Sequence, residues 1–208
     1  MGINISIGAR SAAGYTLLEL MVVISIVGFM SLIAVPGMQD SMRRNAKESE
    51  ILDLMSAIAL ARSEAVSQSR LVSICRSTNG AQCADPSSGA NWNAGWIIFT
   101  DAGTAGTVDA ALGDSALRVG QASDTGSVIT LHKSNNLAFT KDFVQFRRDG
   151  SINTAEAAAG AYFKFCDSTN SAADARAILV ANTGRSVPST ADADGIHNRL
   201  DGANLTCP

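Results

Sequence analysis

Glu19 is the only charged side chain in the 21-residue run from Tyr15 to Val35. A carboxylate in so apolar a segment costs about 2.5–3.5 kcal/mol to place in a bilayer core, so its chemistry is ion pairing and it calls for a cationic partner. Four cysteines follow the run: Cys75, Cys83, Cys166 and Cys207. An even count outside the cytoplasm points to two disulfides. Three pairings are open, and the expectation is pairing by proximity, Cys75–Cys83 and Cys166–Cys207. Zinc is the competing use of these thiols. The spacing lacks a close Cys pair, and His132 and His197 are the only histidines. Asp101, Asp109 and Asp114 share one Gly/Ala-rich loop but lack the alternating oxygen ligands of a calcium loop, so a solvated connection is expected there. The sequence contains no phosphate-cradling loop, nucleophile elbow or metal-binding His pair. Catalysis, metals and cofactors are therefore not expected.

These residues must be positioned by one helix and a set of short strands. The Tyr15–Val35 run is long enough to span a hydrocarbon core as a helix. After Pro36 the helical period resumes. Ile51, Leu54, Met55, Ile58, Ala61, Ala65 and Val66 recur every three or four residues, the mark of one apolar face. A helix from Tyr15 to about Ser69 would be about 80 Å long, with Gly28 and Pro36 as places where it can bend. From Arg70 the period shortens toward two. Strands are expected at 71–75, 96–100, 117–119, 127–132, 143–146, 162–166 and 177–180, with turns at 78–80 and 148–151. The class is α+β, a long helix packed on an antiparallel β-sandwich-like head. With 208 residues, 46% hydrophobic content and a formal charge of −3, the chain suits one anchor and one globular domain. It has no global basic field to recruit nucleic acid.

Gly14-Tyr15-Thr16-Leu17-Leu18-Glu19 resembles the processing signal of type IV pilins and type II secretion pseudopilins. The resemblance implies that a prepilin peptidase cuts after Gly14 and that the new amino terminus, Tyr15, is N-methylated. Tyr15 stands where the family usually has phenylalanine. Glu19 and Pro36 fall on the mature fifth and twenty-second residues, where the family carries glutamate and commonly proline. Cleavage would leave an ammonium one helical turn from Glu19. The carboxylate of one subunit could then neutralise the amine of its neighbour and set axial register, because charge pairing in a low-dielectric core falls steeply with distance. A secretory signal differs: its apolar core precedes the cut.

Cys75 to Cys83, the Trp92…Gly95-Trp96-Ile97-Ile98-Phe99-Thr100-Asp101 segment, Leu117-Arg118, Phe165-Cys166-Asp167, Ala175 to Val180 and Thr183-Gly184-Arg185 are similar to the GspH/FimT group of minor pilins, on its FimT/FimU-like branch. The implied organisation is a leader at 1–14, a transmembrane helix segment at 15–36, its amphipathic continuation at 37–69 and a β-rich periplasmic or extracellular head at 70–208. The implied role is a minor pilin of the bacterial inner membrane, single-pass with its head in the periplasm. It would prime pilus assembly and enter the extracellular pilus near its tip. Its partners would be other minor pilins, the major pilin, the prepilin peptidase, and the inner membrane with its assembly platform. Two alternatives carry over: a GspH-type pseudopilin of type II secretion, and a DNA-binding pilin of natural transformation. The last would use Arg185 of the Gly184-Arg185 pair with Arg176 and Arg199. Val187 stands where that pattern tends to carry a second arginine, and Asp192, Asp194 and Asp201 oppose the charge. Arg147-Arg148 could extend a patch, diluted by Asp149.

Overall fold

The expected apolar face builds a single helix, α1, over Leu17–Ser67. The computed structural model describes residues 14–89, 91–123, 125–135, 137, 142–153, 159–167 and 171–207; within α1 the side chains of residues 32–37 and 39–40 lie outside this description. The chain divides into two compact units, Met1–Arg44 and Asn45–Pro208. In the second unit, Ile51, Leu54, Ala57, Ile58, Ala61 and Ala65 are buried. Met55 only borders this core. Val66, expected on the same face, is 48% exposed. It sits 100° around the helix from Ala65 and so falls on the shoulder of the stripe.

The helix stops for a local reason. Ser69 takes a left-handed conformation, φ 51°. Arg70 N donates to Ala65 O and Ser69 N to Val66 O, the two bonds of a Schellman cap. Two four-stranded antiparallel sheets follow. β1 (Val72–Arg76), β2 (Trp96–Thr100), β3 (Ala116–Gly120) and β5 (Phe143–Phe146) lie in the order β3-β2-β1-β5. β4 (Val128–Lys133), β6 (Ala161–Cys166), β7 (Arg176–Val180) and β8 (Ser186–Pro188) lie in the order β4-β6-β7-β8. Strands were expected at seven of these places. β8 was not: three residues ending in proline carry too little alternation to register as a strand.

Alternation along each strand divides the core. Val72, Ile74, Ile98, Val144 and Phe146 of the first sheet join Ile129, Leu131, Phe163, Phe165, Ile178 and Val180 of the second in one cluster with the buried face of α1. Trp92 enters that cluster from the loop before β2 and meets Phe163 edge to face, with centroids 4.7 Å apart. Each sheet also buries its other face, and each time under an irregular segment. Cys75, Ile97, Phe99 and Phe143 pack under Cys83, Ala105 and Val108. Tyr162, Ala175 and Ala177 pack with Leu205, next to Leu179 and Cys207. β1, β2, β5 and β6 are therefore buried on both faces although the sheets are antiparallel, which explains their nearly continuous apolar sequences.

Candidate functional site

Thr16 ends the helix at its start. Its hydroxyl oxygen accepts from Glu19 N at 3.2 Å, and its carbonyl accepts from Leu20 N. Thr16 and Glu19 thus occupy the N-cap and N3 positions of a Ser/Thr-x-x-Glu pattern. Gly14 and Tyr15 lie outside the helix and are exposed, Tyr15 by 87%. The Gly14–Tyr15 bond is thus non-helical and accessible to solvent. Glu19 is exposed, as are Leu17, Leu18, Leu20 to Ile24, Ile26, Val27, Phe29 and Met30. The side chain of Pro36 lies outside the described residues, so the expected bend is not placed. Among the described residues no helix is long and apolar enough to cross a membrane; the end of the apolar run, at 32–35, is in the stretch whose side chains are not described.

Both expected disulfides are present. Cys75–Cys83 links β1 to the following loop, and Cys166–Cys207 staples the carboxyl-terminal tail to the end of β6, with Cα separations of 5.6 and 5.7 Å. The tail is also held by Lys164, whose Nζ donates to Thr206 O at 3.0 Å. Burial, and then the charge of Arg199, pushes the Lys164 ammonium below its ordinary pKa. His197 Nδ1 donates to Ser189 O at 2.8 Å. Burial, followed by the Arg176 charge, lowers the His197 pKa. His132 bonds Thr130 through Nε2 and stacks on Tyr162. Both histidines are thus placed as structural groups.

The loop after β2 corrects one expectation in part. Its span from 102 to 113 holds no buried residue, as a solvated connection should, but its two ends, Asp101 and Asp114, are 1% and 8% exposed. Asp101 Oδ2 accepts from Ser73 Oγ (2.5 Å), Gln145 Nε2 (2.7 Å) and Gly106 N (2.8 Å). Asp114 accepts from Ala102 N and Asp109 N. The two carboxylates satisfy backbone donors of the loop and pin it over the outer face of the first sheet. Burial raises the Asp101 pKa, against the lowering effect of its hydrogen bonds. Among the described residues no group of three His, Cys, Asp or Glu is placed to hold a metal.

The three arginines proposed for nucleic acid are in different circumstances. Arg176 donates to Ala173 O and Ala175 O. Arg199 pairs with Asp201 at 3.1 Å, with its side chain largely buried. Of the three, Arg185 alone is exposed, and among the described residues its side chain has no partner. What the sequence did not indicate is its true neighbourhood. Arg62 Nε donates to Gly150 O at 3.1 Å, and Gly184 lies against that same carbonyl. No periodicity links α1, the turn after β5 and the β7–β8 turn, so nothing in the sequence signals this meeting.

A methylation-type amino terminus opening a long helix, with that helix packed on antiparallel sheets, defines a type IV pilin-like protein. Residues 9–35 match the prokaryotic N-terminal methylation motif, and residues 50–184 match the family described as type II transport protein GspH. The chain belongs to the GspH family and resembles its FimT/FimU-like minor pilins. The type IV minor pilin FimU of Pseudomonas aeruginosa strain PAO1 shares the fold. One crystal form is 18% identical, covers 79% of this chain and 97% of its own, and has a TM-score of 0.53. In a second form the values are 17%, 77%, 99% and 0.50. The minor pseudopilin EpsH from the type 2 secretion system of Vibrio cholerae aligns at 6% identity over 68% of this chain and 94% of its own, with a TM-score of 0.43. No curated protein sequence matches the chain significantly.

Proposed function

We propose that this protein is a minor type IV pilin. A prepilin peptidase cuts it after Gly14, and Tyr15 becomes its methylated amino terminus. Residues 15–36 hold it in the bacterial inner membrane with the head, from residue 70, in the periplasm. It is then drawn into the pilus with other minor pilins, where it primes assembly close to the tip. The observation that carries this reading is the amino-terminal arrangement: an exposed, non-helical Gly14–Tyr15 bond followed at once by a capped helix whose large apolar side chains from Leu17 to Met30 are exposed among the described residues. Such a helix gains its stability from lipid tails or from the helices of other subunits.

A minor pseudopilin of type II secretion is the second reading, favoured by the description of the matching family. The same amino terminus serves both machines, so the partners decide. The test is a deletion strain complemented with the wild-type gene or Gly14→Val, with leader cleavage, surface pili and secreted enzyme measured together. The pilus reading expects loss of pili on deletion, no rescue by Gly14→Val and normal secretion. Normal piliation with blocked secretion would transfer the protein to the secretion machine, and rescue by an uncleaved chain would sink both readings.

A further inference from the structure

Three segments remote in sequence meet at one end of the head. Arg62 near the end of α1 holds the Gly150 carbonyl, Gly184 abuts that carbonyl, and Ile152 N donates to Asn182 O at 2.9 Å. The 147–151 turn and the 181–185 turn therefore back onto each other and onto α1. The Schellman cap places Arg70 nearby: with Arg148 it lines a groove of about 410 Å³ that also includes Leu71, Leu112 and Asp101. Arg62 and Arg147 are engaged, the latter with Asn153. Arg70, Arg148 and Arg185 are exposed, and among the described residues their side chains have no hydrogen bond or ion pair. The carboxylates close by are occupied. Asp101 is buried under three donors, and Asp149 accepts from Ser151 N and Oγ.

We propose that this groove docks an acidic segment of a neighbouring pilin subunit, one that carries carboxylates beside an aliphatic side chain. The carboxylates meet Arg70 and Arg148, whose planar forks suit them, and the aliphatic group covers Leu112, which is 57% exposed. This goes beyond the subunit reading, on which it rests, by naming the surface and the chemistry of its partner. Duplex DNA fits less well. Three free arginines neutralise about three phosphates, which gives weak binding at physiological salt. The chain's charge of −3 opposes approach of a polyanion, and a phosphate backbone makes no use of Leu71 and Leu112.

The test uses the full chain in detergent micelles and fluorescence anisotropy with three labelled probes: a short peptide alternating glutamate with leucine, an all-glutamate peptide of equal charge, and a short DNA duplex. The alternating peptide is expected to bind most tightly. Arg70→Gln and Arg148→Gln should each weaken it several-fold, and together by about tenfold or more, with Arg148→Lys intermediate and the thermal midpoint unchanged. Tighter binding of the duplex, lost in the same variants, would overturn the proposal in favour of nucleic acid. Absence of peptide binding, or binding indifferent to both arginines, would reduce the groove to solvated charge. Leader cleavage and assembly of these variants are scored in parallel, so that failure of the groove is distinguishable from failure of the subunit reading.

Discussion

Removing the Cys166–Cys207 bridge should cost more stability than removing Cys75–Cys83, and the loop lengths say by how much. The sequence separations are 41 and 8 residues. In the chain-entropy account these closures are worth about 4 and about 2.5 kcal/mol. The longer bridge has a second effect in the folded state. It fastens a tail whose other anchors include the fully buried Leu205, the Lys164–Thr206 bond and the Ser189–Ala177 pair of bonds at its start. Burial of one leucine stabilises by about 2 kcal/mol, so a freed tail should detach more readily than the head unfolds. The perturbations are the serine pairs Cys166→Ser/Cys207→Ser and Cys75→Ser/Cys83→Ser. Urea unfolding followed by fluorescence of the buried Trp92 and Trp96 should give losses that differ by about 1.5 kcal/mol. Amide exchange should quicken across 189–207 only in the first variant. Equal losses, a reversed order, or a tail as protected as in the parent would refute the reasoning.

Other perturbations test the remaining assignments. Asp101→Asn keeps an oxygen acceptor while removing the buried charge. The folded pKa of Asp101 is raised above 3.8, so its protonated form stabilises below that value and the contribution is lost as pH rises through the folded pKa. The variant should therefore gain on the parent as pH rises above the ordinary carboxylate value, and a pH-independent difference in urea midpoint would sink this account. Gly184→Ala should destabilise by about 2–4 kcal/mol, because φ is 77° and a β-carbon would collide with the Gly150 carbonyl; an unchanged midpoint would contradict the close turn packing. Ser69→Gly should gain about 0.5–1 kcal/mol by relieving the left-handed Schellman residue, and a loss would show that the Ser69 side chain does more than tolerate the cap. Glu19→Ala should leave membrane insertion and leader cleavage intact but reduce incorporation into pili, and incorporation at the parental level would discard the register argument.

Local pattern made the helix, seven strands and the two covalent links legible. Ile51, Leu54, Ile58, Ala61 and Ala65 specify a buried stripe by spacing alone, and Trp96 to Thr100 is too apolar for anything but a two-sided strand. Val66 was misplaced because a single 100° step separates core from shoulder. Asp101 and Asp114 were misread for a different reason: a carboxylate's burial is decided by the amides that surround it, and Ser73, Gly106 and Gln145 arrive from three separate places in the chain. The arginines show the same limit. Arg176 and Arg199 counted as surface charge until the carbonyls and Asp201 that hold them were in view. Arg70 and Arg148 gained meaning only when two turns and a helix end were brought together.

The exposed apolar side chains of α1 between Leu17 and Met30 have a consequence for reversibility. Hydrocarbon tails and the aliphatic flanks of neighbouring helices are solvents of nearly equal quality for leucine, valine and isoleucine. Moving such a helix from one to the other changes its solvation free energy little, whereas either transfer to water would be prohibitive. On the proposed reading, a subunit built this way could pass between membrane and fibre with small net work on these side chains. On that reading, polar contacts such as the one expected of Glu19 would be left to set the direction of the exchange.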